Sequence, residues 1–131
     1  MASLIVLNGP QKDDYYPLGH RTNVIGRSES LMIQILDEQV SRKHLQITYN
    51  KDKNSYHALD MSSRHGVYIN GNKISGETPL TDGDKITIGN TTIWFTISDF
   101  HDRDSALSHY KKVGESSRPT YIEERKDTFM I

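Results

Sequence analysis

Cysteine is absent from the chain, so neither disulfides nor thiolate metal sites can stabilise the fold, and a reducing compartment is the default setting. Long apolar runs are missing too. The opening stretch Met1-Ala2-Ser3-Leu4-Ile5-Val6-Leu7 has four apolar residues in a row and no preceding cation. That is too short for a signal peptide and far too short to span a membrane. These absences lead us to expect a cytoplasmic or nuclear protein that makes no contact with a membrane. Neither sign of charge dominates: 16 Lys and Arg face 17 Asp and Glu, a formal net charge of −1. A generally basic surface for gripping a nucleic-acid backbone is therefore excluded, and any anion site must be a local cluster. The histidines at 20, 44, 57, 65, 101 and 109 show no paired ligand spacing such as i, i+4, so neither a metal nor a cofactor is expected.

With 131 residues the chain can build one domain core but not two. Within it the dominant period is two. Apolar and β-branched runs recur at 4–7, 22–25, 32–36, 45–49, 56–59, 67–69, 85–88 and 92–97. Turn residues separate them: Asn8-Gly9-Pro10, Gly26, the polar stretch 52–55, Asn70-Gly71, Asp82-Gly83 and Gly89-Asn90. Many short strands at regular spacing predict an all-β sandwich or barrel of antiparallel sheet. Leu45, Ile47 and Tyr49 alternate with Gln46 and Thr48, as a half-buried strand requires. Asn70-Gly71, following Val67-Tyr68-Ile69, is a two-residue hairpin signal because both residues tolerate positive φ.

The period changes after Ser98. Ser98 or Asp99 supplies a helix N-cap, and Phe100, Ala106, Leu107, Tyr110 and Val113 fall near one helical face. Lys111 and Lys112 suit a helix C-terminus, and Gly114 suits its end. Beyond it, Ser, Arg, Pro, Glu and Lys dominate and read as an extended tail. The expected organisation is a β domain at 1–98 and a helix with its tail at 99–131. The apolar stripe of that helix reads first as packing against the sandwich edge, and only second as a partner-binding face.

Chemistry-bearing residues cluster between the strands. Gly26-Arg27-Ser28 follows one strand, and Asp37-Glu38-Gln39-Val40-Ser41-Arg42-Lys43-His44 leads into another. The third segment runs Asp60-Met61-Ser62-Ser63-Arg64-His65-Gly66-Val67-Tyr68-Ile69-Asn70-Gly71, and a fourth, 80–89, joins two late strands. Taken alone, Arg27 reads as a solvated loop charge. If the sandwich brings the loops to one end, Arg27, Ser41, Arg42 and Arg64 form a cup of charge-assisted donors for a tetrahedral anion. A phosphothreonine brings a charge of about −1.5 to −2 and three acceptor oxygens to such a cup. Ser41, His44 and Asp37 contain the residue types of a hydrolase triad. Three such residues within one loop seldom reach triad geometry, so no enzyme is expected.

In this order and spacing, the segments resemble the forkhead-associated (FHA) domain over roughly residues 3–98. The combination is specific: Gly-Arg, then Ser-Arg-x-His, then Ser-x-x-Gly-x-x-Ile-Asn-Gly. The resemblance implies a sandwich of about eleven strands in two antiparallel sheets, with a peptide site in the loops at one end. It implies phosphate contacts from Arg27 and Ser41, assistance from Arg42 and Arg64, and structural roles for Gly26, His44, Gly66 and Asn70. His65 stands where the family usually has Asn, and Val67 where it has Thr. The family's Asn bonds the backbone of the bound peptide; His65 can donate there through a ring nitrogen, with a different length and angle.

The partner this implies is a threonine-phosphorylated protein or peptide. A scaffold that keeps the fold but binds independently of phosphate is the alternative, favoured by the His65 replacement and opposed by retention of Arg27, Ser41 and Arg64. The tail offers ligands of its own. Thr120 has Glu123 three places on and Thr128 has Ile131, and the family reads that third position, choosing an acidic or a branched aliphatic side chain. Self-association through a phosphorylated tail is therefore a further expectation.

Overall fold

The computed structural model describes residues 2–97 together with Leu107 and Ser108. Eleven strands follow one another: β1 (Ser3–Val6), β2 (Tyr15–Pro17), β3 (Asn23–Gly26), β4 (Ile33–Gln34), β5 (Leu45–Asn50), β6 (Ser55–Asp60), β7 (Val67–Ile69), β8 (Asn72–Lys73), β9 (Thr78–Pro79), β10 (Lys85–Ile88) and β11 (Thr91–Thr96). They form a six-stranded sheet in the order β2-β1-β11-β10-β7-β8 and a five-stranded sheet in the order β4-β3-β5-β6-β9. This is the two-sheet all-β sandwich the motifs imply. One pairing departs from the antiparallel rule: β3 and β4 run parallel, with Ile25 opposite Ile33 and Gly26 opposite Gln34. The run at 32–36 is accordingly shorter as a strand than its apolar content suggests, and Met32 and Leu36 are exposed.

Period-two patterning places the core. Leu45 and Ile47 of β5 are fully buried while Gln46 and Thr48 are half-buried. Opposite them, Leu4 and Val6 of β1, Ile86 and Ile88 of β10, and Ile93 and Phe95 of β11 come from the other sheet. Each such side chain stabilises the fold by about 1.5–3 kcal/mol when fully buried. Phe95 meets Tyr56 edge-on, with ring centroids 5.8 Å apart, tying β11 to β6.

Strands β1 and β11 are buried on both faces. Ile5 and Trp94 are register partners and point away from the main core into a second apolar cluster with Leu7, Tyr15 and Leu107. Leu107 and Ser108 are helical. The expected packing of the C-terminal stripe on the sandwich is seen at Leu107 alone; the rest of the expected helix and the tail lie outside the described residues.

Strand register brings three loops to one end. Ile25 pairs with Leu45, and Leu45 pairs with Asp60. The chain therefore leaves β3, enters β5 and leaves β6 along one row across the sheet. The segments carrying Arg27, Ser41 and Arg64 all emerge there.

Candidate functional site

The three loops enclose a cleft of about 260 Å³ lined by Arg27, Glu38, Gln39, Val40, Ser41, Arg64 and His65. Four of the five expected binding side chains, Arg27, Ser41, Arg64 and His65, are brought together here. Arg42 is not among the lining residues. It contributes main chain instead, its carbonyl accepting from the Ser28 N–H at 3.2 Å.

Each donor is held by a local device. The Arg27 N–H donates to the Ser41 carbonyl at 3.0 Å, and Arg27 Nε donates to the Val40 carbonyl at 3.0 Å. The stem of the guanidinium is thereby pinned to the 37–44 loop, leaving its Nη groups for a ligand. Ser41 Oγ accepts the Arg64 N–H at 3.0 Å. A hydroxyl has one proton to give, and with this lone pair occupied the proton is left to donate into the cleft.

His44 joins the two loops from beneath. It is fully buried. Its Nδ1 accepts the Ser41 N–H at 3.0 Å, and its Nε2 donates to the Gly66 carbonyl at 2.7 Å. The first bond needs a bare Nδ1, which selects the neutral tautomer with its proton on Nε2. Both ring nitrogens are committed to main chain, so His44 does not face Ser41 Oγ as a base would. Its two bonds tie the Ser41 loop to the Gly66 turn.

Glycine is required at two points. A Cβ on Gly26 would lie 2.1 Å from the Arg42 carbonyl oxygen and 2.9 Å from that of Ser41. Only a bare Cα lets the loop close over β3. Gly66 has φ +84° in the left-handed region, and its N–H donates to Ser63 Oγ at 2.9 Å. Ser63 N–H in turn donates to Asp60 Oδ1 at 3.0 Å. Asp60 and Ser63 thus shape the turn that presents Arg64 and His65. Ser63 belongs to the matched motif, but the three-residue spacing from Asp60, a side-chain-to-backbone turn signal, lies outside it.

Asp37 is the other support missing from the sequence assignment. Its Oδ1 accepts the Gln39 N–H at 2.9 Å, and its Oδ2 accepts the Asn90 N–H and the Thr91 hydroxyl, both at 2.8 Å. Burial pushes its pKa up, but the bonds from Gln39, Thr91 and Asn90 outweigh that and hold the carboxyl below the usual value. The carboxylate fastens the loop bearing Ser41 to the turn between β10 and β11. That turn reaches the site: His65 also lines a neighbouring depression with Gln39, Tyr68, Gly89 and Asn90.

Asn70 lies at the opposite end of β7 from the cleft. With φ +52°, followed by Gly71 at +85°, it forms the expected hairpin turn. It also donates to Asp84 Oδ1 at 2.9 Å and accepts the Lys85 N–H at 3.0 Å, clamping the hairpin to β10.

An exposed cluster of two guanidiniums, one oriented hydroxyl and an imidazole, held by buried supports at one end of a sandwich, defines a loop-built anion receptor. The particular family follows from comparison: the FHA-domain profile matches residues 23–89, and the chain belongs to the FHA-domain family. The oxoglutarate dehydrogenase inhibitor of Corynebacterium jeikeium is 32% identical over 94 residues, covering 72% of this chain and 63% of that protein. The chain thus spans less than two thirds of that relative's length. The solved FHA domain of an Arabidopsis thaliana hypothetical protein is 28% identical with a TM-score of 0.68, covering 77% of this chain and 88% of that one. A structure from a study of phosphothreonine-dependent FHA domain interactions is 27% identical with a TM-score of 0.66, covering 76% of this chain and 98% of that one.

Proposed function

We propose that this chain is a non-catalytic protein-interaction module that takes a threonine-phosphorylated segment of a partner into the cleft between its loops. The observation that carries the reading is the convergence of Arg27, Ser41 and Arg64 on one cleft. Two guanidiniums match the charge of a phosphate dianion, and the Ser41 hydroxyl supplies a directed neutral donor. His65 lines the same wall and takes the peptide backbone in place of the family's Asn. Arg42 adds to the positive field from outside the cleft.

A lack of cysteine fits a reducing compartment, the cytoplasm or nucleus. The balanced net charge gives nucleic acid no general foothold. The chain's own Thr120 and Thr128 are candidate ligands once phosphorylated, because a tether raises effective concentration to about the mM range for short flexible linkers.

Phosphothreonine peptides and their unphosphorylated twins, including segments around Thr120 and Thr128, should be titrated into the full chain. Binding that depends on the phosphate supports the reading. Equal binding of both twins would favour the phosphate-independent scaffold and overturn it.

A further inference from the structure

One side chain in the cleft works against anion binding. Glu38, three residues before Ser41, is the sole acidic residue in the wall formed by Arg27, Ser41, Arg64 and His65. It is exposed and has no hydrogen-bond or ion-pair partner among the described residues. A carboxylate beside two guanidiniums weakens their pull on a phosphate, so a receptor for phosphate alone gains nothing from it.

Glu38 and Gln39 also line a second depression of about 420 Å³, together with Pro10, Leu36, Asp37 and Asn90 among others. The two shared residues make the depressions neighbours. No cation lines the second. Its lining includes the apolar side chains of Pro10 and of Leu36, which is 56% exposed. Apolar surface beside negative charge suits a side chain with an aliphatic stem and a cationic head.

Charge balance points the same way. A bound phosphate brings about −1.5 to −2 and is matched by two guanidiniums, Arg27 and Arg64. Among the residues lining the filled cleft, no further guanidinium or ammonium then remains beside Glu38. A cation carried by the same ligand would offset it.

We infer that Glu38 is a specificity-determining residue, selecting ligands that carry lysine or arginine close to the phosphothreonine. The stem of that residue lies on Leu36 and Pro10 and its charge meets Glu38. The inference rests on the phosphothreonine reading and narrows its ligand class.

The test is a set of phosphothreonine peptides in which each flanking position in turn is Lys, Ala or Glu, titrated into the full chain. At one or more flanking positions the Lys peptide should bind about two- to fivefold tighter than the Ala peptide, the scale of an exposed ion pair. The Glu peptide should bind more weakly than either. The order should reverse at that position in Glu38→Lys and flatten in Glu38→Gln. No Lys preference at any position, or a preference that persists in both variants, would overturn the inference. Phosphorylated and unphosphorylated twins of the Ala peptide, run alongside, separate the two levels. Retained phosphate dependence without a Lys preference refutes the role of Glu38 alone, whereas lost phosphate dependence overturns the underlying reading as well.

Discussion

Replacing His44 by alanine should damage both the fold and the cleft, by an amount that can be worked from its contacts. The ring is fully buried and bridges the Ser41 N–H to the Gly66 carbonyl. Truncation leaves the buried Gly66 carbonyl and the part-buried Ser41 N–H without partners, costing up to about 1–3 kcal/mol each. The space left by the ring adds a packing loss, so we expect roughly 3–6 kcal/mol in all. A domain of this size is stable by only about 5–15 kcal/mol, so the variant should be close to unfolding at 37 °C. Asparagine should recover part of the loss, because its carbonyl can accept from Ser41 while the bond to Gly66 stays broken. Urea unfolding of wild type, His44→Asn and His44→Ala gives the order, and phosphopeptide affinity measured at low temperature should fall in the same sequence. If His44→Ala lost less than about 1 kcal/mol and bound as wild type, the idea that this ring assembles the cleft would be refuted.

Other expectations follow from single contacts. Gly26→Ala forces a Cβ onto the Arg42 carbonyl, 2.1 Å away; it should cost about 1–3 kcal/mol in urea unfolding and weaken peptide binding by displacing Ser41. Arg27→Ala should keep the fold, losing only about 0.5–1.5 kcal/mol in urea unfolding with the Nε bond to Val40, while lowering phosphopeptide affinity about thirtyfold or more by calorimetry. Asp37 has a depressed pKa in the folded state, so its contribution is complete above the ordinary carboxylate value of about 4 and is lost as pH falls through the folded-state value. Acid unfolding followed by the fluorescence of Trp94 should therefore be shallower in Asp37→Asn than in wild type. Asn70→Ala should destabilise by about 1–3 kcal/mol in urea unfolding without altering peptide affinity, because its bonds to Asp84 and Lys85 lie at the far end of β7.

The strands that could be read from sequence are those with buried, alternating side chains. Val67–Ile69 and Lys85–Ile88 emerge with the expected bounds, and β1, β3, β5, β6 and β11 are offset by a residue or so at their ends. The residue pattern did not reveal β2, β8 and β9, and all three are sheet edges. Edge strands bury little and tolerate proline, as Pro17 and Pro79 illustrate, so they leave no periodic trace. Their number followed only from the family resemblance. At the site, the charged and hydroxylic residues were legible because few other arrangements explain them in that order. Asp37, Asp60 and Ser63 stood in the quoted segments but were given no supporting role, since each works through main-chain N–H groups whose positions exist only once the loops are folded. Glu38 was quoted as part of a motif, but a role for it required seeing which wall it occupies.

Amide chemical shifts recorded during titration of the full chain with a phosphothreonine peptide test the central claim most directly. The account predicts that the largest changes fall on Arg27, Ser41, Arg64 and His65, and that the unphosphorylated peptide leaves these signals in place. A separate depression of about 260 Å³, lined by His20, Tyr49, Asn54 and Tyr56 beside the β5–β6 turn, serves as the internal control. Changes concentrated there, or equal changes with both peptides, would contradict the account.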